Sequence, residues 1–342
     1  MSAPGRAERL LQDPAPTSGE IQDLVAPRLA AVEALFRENL ASPVRIVREI
    51  GSFLAEGGGK RVRPTLHLLS ADLVGYRGPH AVLLAAVLEY IHSATLIHDD
   101  IIDEAATRRG RPSVNRRWGN NLTVLFGDYL FAKAMEMALQ AGSLRIMERL
   151  AEVTLRMAEG EMLQTRYAGN LDLTEAEYLD LVERKTAALF ACCCETAGIL
   201  AGVDAERERA LRRYGRHVGM AFQIVDDLLD MTGNAERLGK PAGSDLREGK
   251  VTLALIDLLG ASSPSAARAR TLARGVMDEG RPDAPECAEL TDLLRESGAL
   301  KRAQVRAQQH AAQAVSELAT FADGPAKRAL AAVPDFLLTR DR

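Results

Sequence analysis

The chain of 342 residues is long enough for one large domain, or two ordinary ones, with a sizeable buried core. Hydrophobic residues make up 47% and charged residues 26%, which is usual for a water-soluble globular protein. The net charge of -4 excludes a general electrostatic attraction for nucleic acid or an anionic membrane, so any bound anion must meet a local cluster of basic side chains.

Almost all of the chain after residue 20 has the apolar spacing of helices. Residues 1–20 contain three prolines and two glycines, which predict a flexible tail. The clearest helices are predicted at 25–40, 81–102, 122–139, 146–167, 178–201 and 206–231. No alternating β pattern stands out. The prediction is therefore a single all-α domain over residues 21–342, a bundle of roughly antiparallel helices around one core.

The cysteines and the apolar segments bear on the compartment. Cys192, Cys193 and Cys194 are consecutive, and no C-x-x-C pair occurs, so we expect small core-packing residues in a reducing compartment. No apolar run is expected to reach the length of a membrane span, and the N-terminus lacks a basic-then-apolar signal pattern. The expected location is cytoplasmic.

An acidic cluster ends the predicted helix 81–102. Asp99 and Asp103 are four residues apart, so they project within about 40° of each other on a helix, and Asp100 lies about 60° from Asp103. His92 falls on the same face, two turns before Asp99. Carboxylates this close repel each other unless a positive charge lies between them.

The same pattern recurs in FQIVDDLLD, which contains Asp226, Asp227 and Asp230 with Gln223 on their face. One such cluster is consistent with a solvated helix tip, whereas two copies at the ends of apolar helices indicate a shared function. Oxygen ligands without Cys or His favour Mg²⁺, which completes its shell with water and phosphate oxygens. The two clusters predict a polyphosphate bound through metal ions.

Basic residues accompany both acidic clusters. The segment GGGKRVRP joins three glycines to Lys60, Arg61 and Arg63, and exposed backbone N–H groups and guanidinium groups both bind phosphate. Alone, this segment is equally consistent with a solvated loop, and it lacks the Walker A spacing. Further bases follow the acidic clusters: Arg108 and Arg109 after the first, Lys240 and Lys250 after the second. This arrangement suits two phosphorylated substrates, one bound through metals and one through bases alone.

Six segments, taken together and in this order, resemble the trans-isoprenyl diphosphate synthases, also called polyprenyl synthetases. They are GGGKRVRP, HSATLIHDDIIDEAATRRGRP, GDYLFA, ERKTAALF, AFQIVDDLLD and LGKPAGSDLREGK, and they are most similar to the longer-chain, octaprenyl-type bacterial enzymes that make quinone side chains. The resemblance implies the all-α isoprenoid synthase fold, usually as a homodimer. It also implies condensation of isopentenyl diphosphate with an allylic diphosphate such as farnesyl diphosphate.

The resemblance implies a role for each matched residue and two or three Mg²⁺ ions per site. Metal positions match Asp99, Asp103 and Asp226 directly, with Asp100, Asp227 and Asp230 as supporting or weaker ligands. Isopentenyl diphosphate positions match Lys60, Arg63, His92 and Arg109. Allylic diphosphate positions match Arg108, Lys185, Thr186, Gln223, Lys240 and Lys250. Of these, Lys185, Thr186 and Gln223 are the expected catalytic residues, because their oxygen dipoles would face the carbocation. Without the resemblance, a lysine in the middle of a helix is usually a surface residue.

The product length is predicted from one small residue. Short-chain members of the family often have Tyr or Phe five residues before the first aspartate, and here that residue is Ala94. DDIID also lacks the two-residue insertion common in bacterial farnesyl synthases. Both features predict geranylgeranyl or longer products, while Met135 and Met137 either close the product cavity or merely fill the core.

Three alternatives remain open from the sequence. A class I terpene cyclase would use the same metals but would not need a second diphosphate site at Lys60, Arg63 and His92. A non-catalytic partner subunit would be expected to lose aspartates, and none is lost here. A short-chain farnesyl or geranylgeranyl synthase would differ only in its product.

Overall fold

The computed structural model describes residues 16–108, 110–232, 243–279 and 285–339. The first half contains α1 (Ser18–Asn39), α2 (Arg45–Glu56), α3 (Val62–Leu73), α4 (His80–Ile102), α5 (Val114–Trp118), α6 (Asn120–Leu139) and α7 (Leu144–Tyr167). The second half contains α8 (Glu175–Val182), a π-helix (Glu183–Ala187), α9 (Ala188–Ala201), α10 (Ala205–Thr232), α11 (Ser244–Arg247), α12 (Leu253–Leu259), α13 (Pro264–Glu279), α14 (Pro285–Glu296), α15 (Ala299–Glu317) and α16 (Pro325–Leu338). The all-α prediction is confirmed, and within these described ranges it has a single small exception.

The exception is a short antiparallel hairpin between α4 and α5. Its strands are β1 (Thr107–Arg108) and β2 (Arg111–Pro112), and Arg108 pairs with Arg111. A strand of two residues is too short to produce an alternating sequence pattern, so the sequence offered no signal for it. The hairpin matters because it carries Arg108 back towards the acidic end of α4.

Two predicted helix boundaries need correction. Helix α1 begins at Ser18, inside the predicted tail, because Thr17 and Glu20 form a reciprocal capping box. The remainder of the predicted tail, residues 1–15, lies outside the described residues. The single helix predicted at 178–201 is instead α8, the π-helix and α9 in succession.

The core is built from two clusters of buried side chains, and α10 contributes to both. Its first half packs Leu211, Tyr214 and Val218 into the core formed with α3, α4, α6 and α9. Its second half packs Ile224 and Val225 into a core formed with α8, α12, α13 and α15. Because α10 is held at both ends, the acidic sequence at its C-terminal end has a defined position relative to α4.

Helix α4 corrects the expectation about membrane spans. Within the described ranges, it is the one helix long and apolar enough to cross a membrane, and 72% of its apolar window is buried inside the structure. Leu84, Leu88 and Ile91 on this helix have no exposed surface. This burial fits the central helix of a soluble protein.

The three consecutive cysteines lie buried on α9, as the sequence predicted. The carbonyl of Cys193 lies 2.9 Å from Nδ1 of the buried His67 on α3. Burial lowers the pKa of His67 to about 4, so this imidazole is neutral at physiological pH and links two core helices.

Candidate active site

The first acidic cluster lies at the C-terminal end of α4, against two lysines from distant segments. Asp99 is in the last turn, and Asp103 is the C-terminal cap residue. Lys250 Nζ lies 3.0 Å from Oδ2 of Asp103, and Lys185 Nζ lies 3.9 Å from Oδ2 of Asp99. The structure thus brings together four residues that the sequence assigned to one site.

Burial strongly perturbs Asp99. Its side chain is only 18% exposed, and this burial, together with the nearby Glu161 and Asp103 carboxylates, raises its pKa to about 7. The ammonium of Lys185 opposes the shift but does not cancel it. An approaching cation stabilises the ionised form of such a buried carboxylate, which is the property expected of a metal ligand.

Asp100 points to a different partner. Its Oδ1 accepts a hydrogen bond from Arg108 Nε at 2.6 Å, and its side chain is almost fully buried. The backbone carbonyl of Asp100 also accepts from the Asn115 side chain at 3.0 Å. Asp100 therefore anchors the hairpin and α5 to the end of α4, and Arg108 is positioned through it.

The second acidic cluster contains one carboxylate committed to its neighbours. Asp227 is buried, and its two oxygens accept hydrogen bonds from Tyr178 Oη at 2.6 Å and Gln223 Nε2 at 2.7 Å. Burial, followed by the Asp245 carboxylate, raises the pKa of Asp227 to about 8. Gln223 in turn accepts from Thr186 Oγ1 at 2.8 Å. This chain of bonds joins α8, the π-helix and α10.

Asp230 is committed in the same way. Its Oδ1 accepts from Ser244 Oγ at 2.6 Å, its Oδ2 from the backbone N–H of Asp245 at 3.0 Å, and its carbonyl from the N–H of Gly243 at 2.7 Å. These bonds attach α11 to α10. The Asp226 side chain is exposed.

Lys250 and Asp245 connect the two acidic clusters electrostatically. Carboxylates of Asp103, Glu248 and Asp245 raise the pKa of Lys250 against the opposing effect of its burial. The Asp245 carboxylate also raises the pKa of Asp227, so its charge influences both Lys250 and the second acidic cluster. Lys250 is therefore paired with the acidic end of α4 and interacts with Asp245, which in turn interacts with Asp227 on α10.

The π-helix places Lys185 and Thr186 between the clusters. A π turn inserts an extra residue into a helix and is frequent at functional sites. Close packing requires glycine opposite it: a Cβ at Gly160 would lie 2.6 Å from the Lys185 backbone nitrogen, and one at Gly219 would lie 2.6 Å from Ala187 Cα. Helices α7 and α10 therefore approach the π-helix backbone directly from two sides.

The basic group predicted for the second substrate is partly assembled. Arg63 Nη1 lies 3.0 Å from His92 Nε2, and the Arg63 guanidinium lies over the Phe190 ring at 4.6 Å. Lys60 is exposed at the start of this segment. Arg61 is instead committed to the fold, because it is mostly buried and bonds Glu33 and Glu89.

Two predicted site residues, Arg109 and Lys240, lie outside the described residues. Ala94, five residues before Asp99 on α4, is fully buried, and Met137 is buried on α6 whereas Met135 is partly buried. Two further residues, Glu161 and Tyr178, contact Lys185 and Asp227 and were not among the predicted site residues. Neither residue belongs to a recognisable sequence motif. Each lies on a helix that only tertiary packing brings next to the site.

The acidic residues fit Mg²⁺ together with a diphosphate rather than a metal alone. Among the described residues, no three Asp, Glu, His or Cys side chains converge closely enough to bind a metal by themselves. The donor set consists of carboxylate oxygens, which Mg²⁺ prefers, and Mg²⁺ commonly takes most of its ligands from water and substrate phosphates. The predicted direct ligands Asp99, Asp103 and Asp226 lie at the C-terminal ends of α4 and α10.

A sequence model of the polyprenyl synthetase family matches residues 44–289. The chain belongs to the polyprenyl synthetase family. The synthase is 38% identical to octaprenyl diphosphate synthase of Escherichia coli (strain K12) over 323 residues, which cover 94% of this chain and 99% of that one. It is 36% identical over 328 residues to a short chain isoprenyl diphosphate synthase of Methanothermobacter thermautotrophicus, covering 94% and 99%. Identity at this level therefore spans enzymes of different product length.

The fold of the synthase matches a solved structure over nearly its whole length. A crystal structure of polyprenyl synthase from Caulobacter crescentus CB15, complexed with calcium and isoprenyl diphosphate, has a TM-score of 0.90 and 36% identity, covering 96% of this chain and 100% of that chain. Members of the family are prenyltransferases that use an allylic diphosphate and isopentenyl diphosphate, with Mg²⁺ for diphosphate binding. The synthase is thus a trans-polyprenyl diphosphate synthase, as its motifs implied.

Proposed function

We propose that this synthase adds isopentenyl diphosphate repeatedly to an allylic diphosphate and releases an all-trans chain of geranylgeranyl length or longer, a precursor of a quinone side chain. The supporting observation is that two lysines, Lys185 and Lys250, lie against the Asp99–Asp103 pair while Arg63 and His92 form a separate basic group. Two distinct diphosphate sites are what a condensation of two diphosphates requires.

The proposed metal ligands are Asp99, Asp103 and Asp226, holding two or three Mg²⁺ ions against the allylic diphosphate. When bound, Mg²⁺ neutralises the charge that develops on the leaving diphosphate. Asp100, Asp227 and Asp230 support these ligands, because their oxygens already accept bonds from Arg108, Tyr178 and Ser244, among others. They hold the hairpin, α8 and α11 in place around the diphosphate.

The remaining site residues divide between the two substrates. The allylic diphosphate is held by Arg108, Lys185, Lys240 and Lys250, and isopentenyl diphosphate by Lys60, Arg63, His92 and Arg109. Thr186 and Gln223, with the Lys185 backbone, present oxygen dipoles to the allylic carbocation. The Thr186–Gln223–Asp227 chain of hydrogen bonds supports this role, because it orients the Gln223 amide. The surrounding apolar side chains exclude water, which would otherwise quench the cation.

The proposed long product rests on Ala94. This buried position, five residues before Asp99, holds a methyl side chain where short-chain members of the family often have an aromatic ring. The growing chain moves away from the carboxylates along α4, about one helical turn for each added unit. The similarity to an octaprenyl synthase supports the same conclusion, whereas the similarity to a short-chain enzyme makes a direct assay necessary.

We also propose a cytoplasmic homodimer. Leu144, Leu155 and Met162 lie along one face of α7, three and then two turns apart, and each is more than 60% exposed in the single chain. Leu125 and Leu139 on the neighbouring α6 are 63% exposed as well. An apolar surface of this kind favours association. Leu155→Glu should yield monomers in light scattering, whereas Leu24→Glu on α1 should not.

The experiment that tests the function is direct. Purified protein is incubated with farnesyl diphosphate, isopentenyl diphosphate and Mg²⁺, and the dephosphorylated products are separated by chromatography. Successive chain extension to at least geranylgeranyl length supports the proposal. A cyclic hydrocarbon would instead indicate a terpene cyclase, a product that stops at farnesyl would indicate a short-chain synthase, and no turnover would favour a non-catalytic subunit.

A further inference from the structure

Glu161 on α7 makes the closest contact of the Lys185 ammonium. Its Oε2 lies 2.5 Å from Lys185 Nζ, whereas Asp99 Oδ2 lies 3.9 Å away. The three side chains are all mostly buried, with exposed fractions between 17% and 20%. Lys185 therefore forms its close ion pair with Glu161, whereas Asp99 lies beyond hydrogen-bond distance.

The backbone accounts for this contact. Glu161 directly follows Gly160, where α7 approaches the Lys185 nitrogen so closely that no side chain would fit. The close approach of the two backbones leaves Glu161 within reach of the Lys185 side chain. The position of this carboxylate is thus determined by the same packing that accommodates the π-helix.

We propose that Glu161 is a positioning residue that holds the Lys185 ammonium away from the oxygens of Asp99. The proposal rests on the role proposed above for Lys185 in holding the allylic diphosphate. A buried ammonium so near to two carboxylates pairs with one of them. Without the charge of Glu161, it would move the short distance to Asp99 and compete there with the cation that binds the diphosphate.

The second oxygen of Glu161 supports a role beyond a structural ion pair. Oε1 is buried and has no hydrogen-bond partner among the described residues. A buried carboxylate oxygen without a partner lowers stability, and such groups in native proteins often have a functional reason. The neighbouring pair Glu159–Arg184 joins the same two segments at 2.6 Å, with Glu159 45% exposed, and it provides a matched ion pair outside the site.

The test compares Glu161→Gln with Glu159→Gln in the full-length enzyme. In Glu161→Gln we expect the Mg²⁺ concentration for half-maximal rate and the KM for farnesyl diphosphate to rise about 10- to 100-fold, with a melting temperature close to wild type. Glu159→Gln should leave both kinetic values unchanged. Equal effects of the two variants, or wild-type values for Glu161→Gln, would overturn the proposal.

A double-mutant cycle with Lys185→Ala separates this inference from the function itself. If Glu161 acts through Lys185, adding Glu161→Gln to Lys185→Ala should change the Mg²⁺ requirement no further. An equal change in both backgrounds would contradict the positioning role while leaving the synthase activity established. A fully active Lys185→Ala enzyme would overturn both the role of Lys185 and the role of Glu161, but chain extension by the wild type would still stand.

Discussion

Lys250 donates a hydrogen bond to Asp103, which lies 147 residues earlier in the chain, with 3.0 Å between Nζ and Oδ2. The same ammonium lies 2.6 Å from Glu248 Oε2. Lys250 therefore joins the segment after the second acidic cluster to the end of the first. A diphosphate bound between the clusters would meet this positive charge directly.

The first prediction concerns Lys250. Lys250→Met should lower kcat/KM for the allylic substrate by about 10- to 100-fold, because a charge-assisted bond to the diphosphate is lost. Steady-state kinetics with varied farnesyl diphosphate measures this. Glu248→Gln, which removes the other partner of the same ammonium, should change kcat/KM far less. A similar loss in both variants would contradict a specific role for Lys250.

Carboxylates that bind metal and carboxylates that support the fold should differ when removed. Asp99→Ala and Asp226→Ala should cut turnover about 100- to 1,000-fold and leave the melting temperature nearly unchanged. Asp230→Ala should lower the melting temperature as well, because Ser244 and the Asp245 N–H lose their buried acceptor. Near-normal turnover of Asp99→Ala in excess Mg²⁺ would exclude it as a ligand.

Tyr178→Phe should affect both stability and catalysis. It removes the 2.6 Å hydrogen bond to Asp227 and should lower the free energy of unfolding by about 1–3 kcal/mol. Because Asp227 also orients Gln223, kcat should fall too. The control is Tyr214→Phe, which removes a 2.8 Å bond to the Leu330 carbonyl and should lower stability while leaving kcat unchanged. Denaturant unfolding and initial rates give the two values.

The size of residue 94 should set the length of the product. Ala94→Tyr places an aromatic ring at the position where short-chain members of the family often carry one and should shorten the main product, whereas Ala94→Ser, with nearly the same volume, should not. Chromatography of dephosphorylated products measures the change. If the tyrosine variant keeps its fold and makes wild-type products, another wall of the cavity limits the chain.

The raised pKa of Asp99 predicts how the metal-free enzyme responds to pH. Burial raises this pKa from 3.8 to about 7, so the folded state retains a proton that the unfolded state has released. The resulting stability is present in acid and is lost as pH rises through this range. In EDTA, the melting temperature of wild type should therefore fall relative to that of Asp99→Asn as pH increases from 4 to 7. A constant difference between the two proteins would contradict the raised pKa.

Several long helices could be predicted closely from the sequence, because long apolar periodicities determine helices locally. The helix predicted at 81–102 is α4 with one added residue, and the helix predicted at 122–139 differs from α6 by two. The π-helix could not be predicted, since its extra residue leaves the sequence pattern helical. Gly160 and Gly219 pack closely against it, and this contact joins segments that are distant in the chain.

The sequence by itself determined which chemical groups are available: two aspartate-rich helix ends, a glycine and arginine segment, and a lysine with a threonine in the middle of a helix. Tertiary structure decided which of those groups remain available to a substrate. Asp100, Asp227 and Asp230 are bonded to protein, and Arg61 is committed to the glutamates beside it. The physical reason is that helical spacing specifies the direction in which a side chain points, whereas its partner comes from whichever helix packs opposite. Glu161 is an example, because it lies in the site only through the packing of α7 next to Lys185.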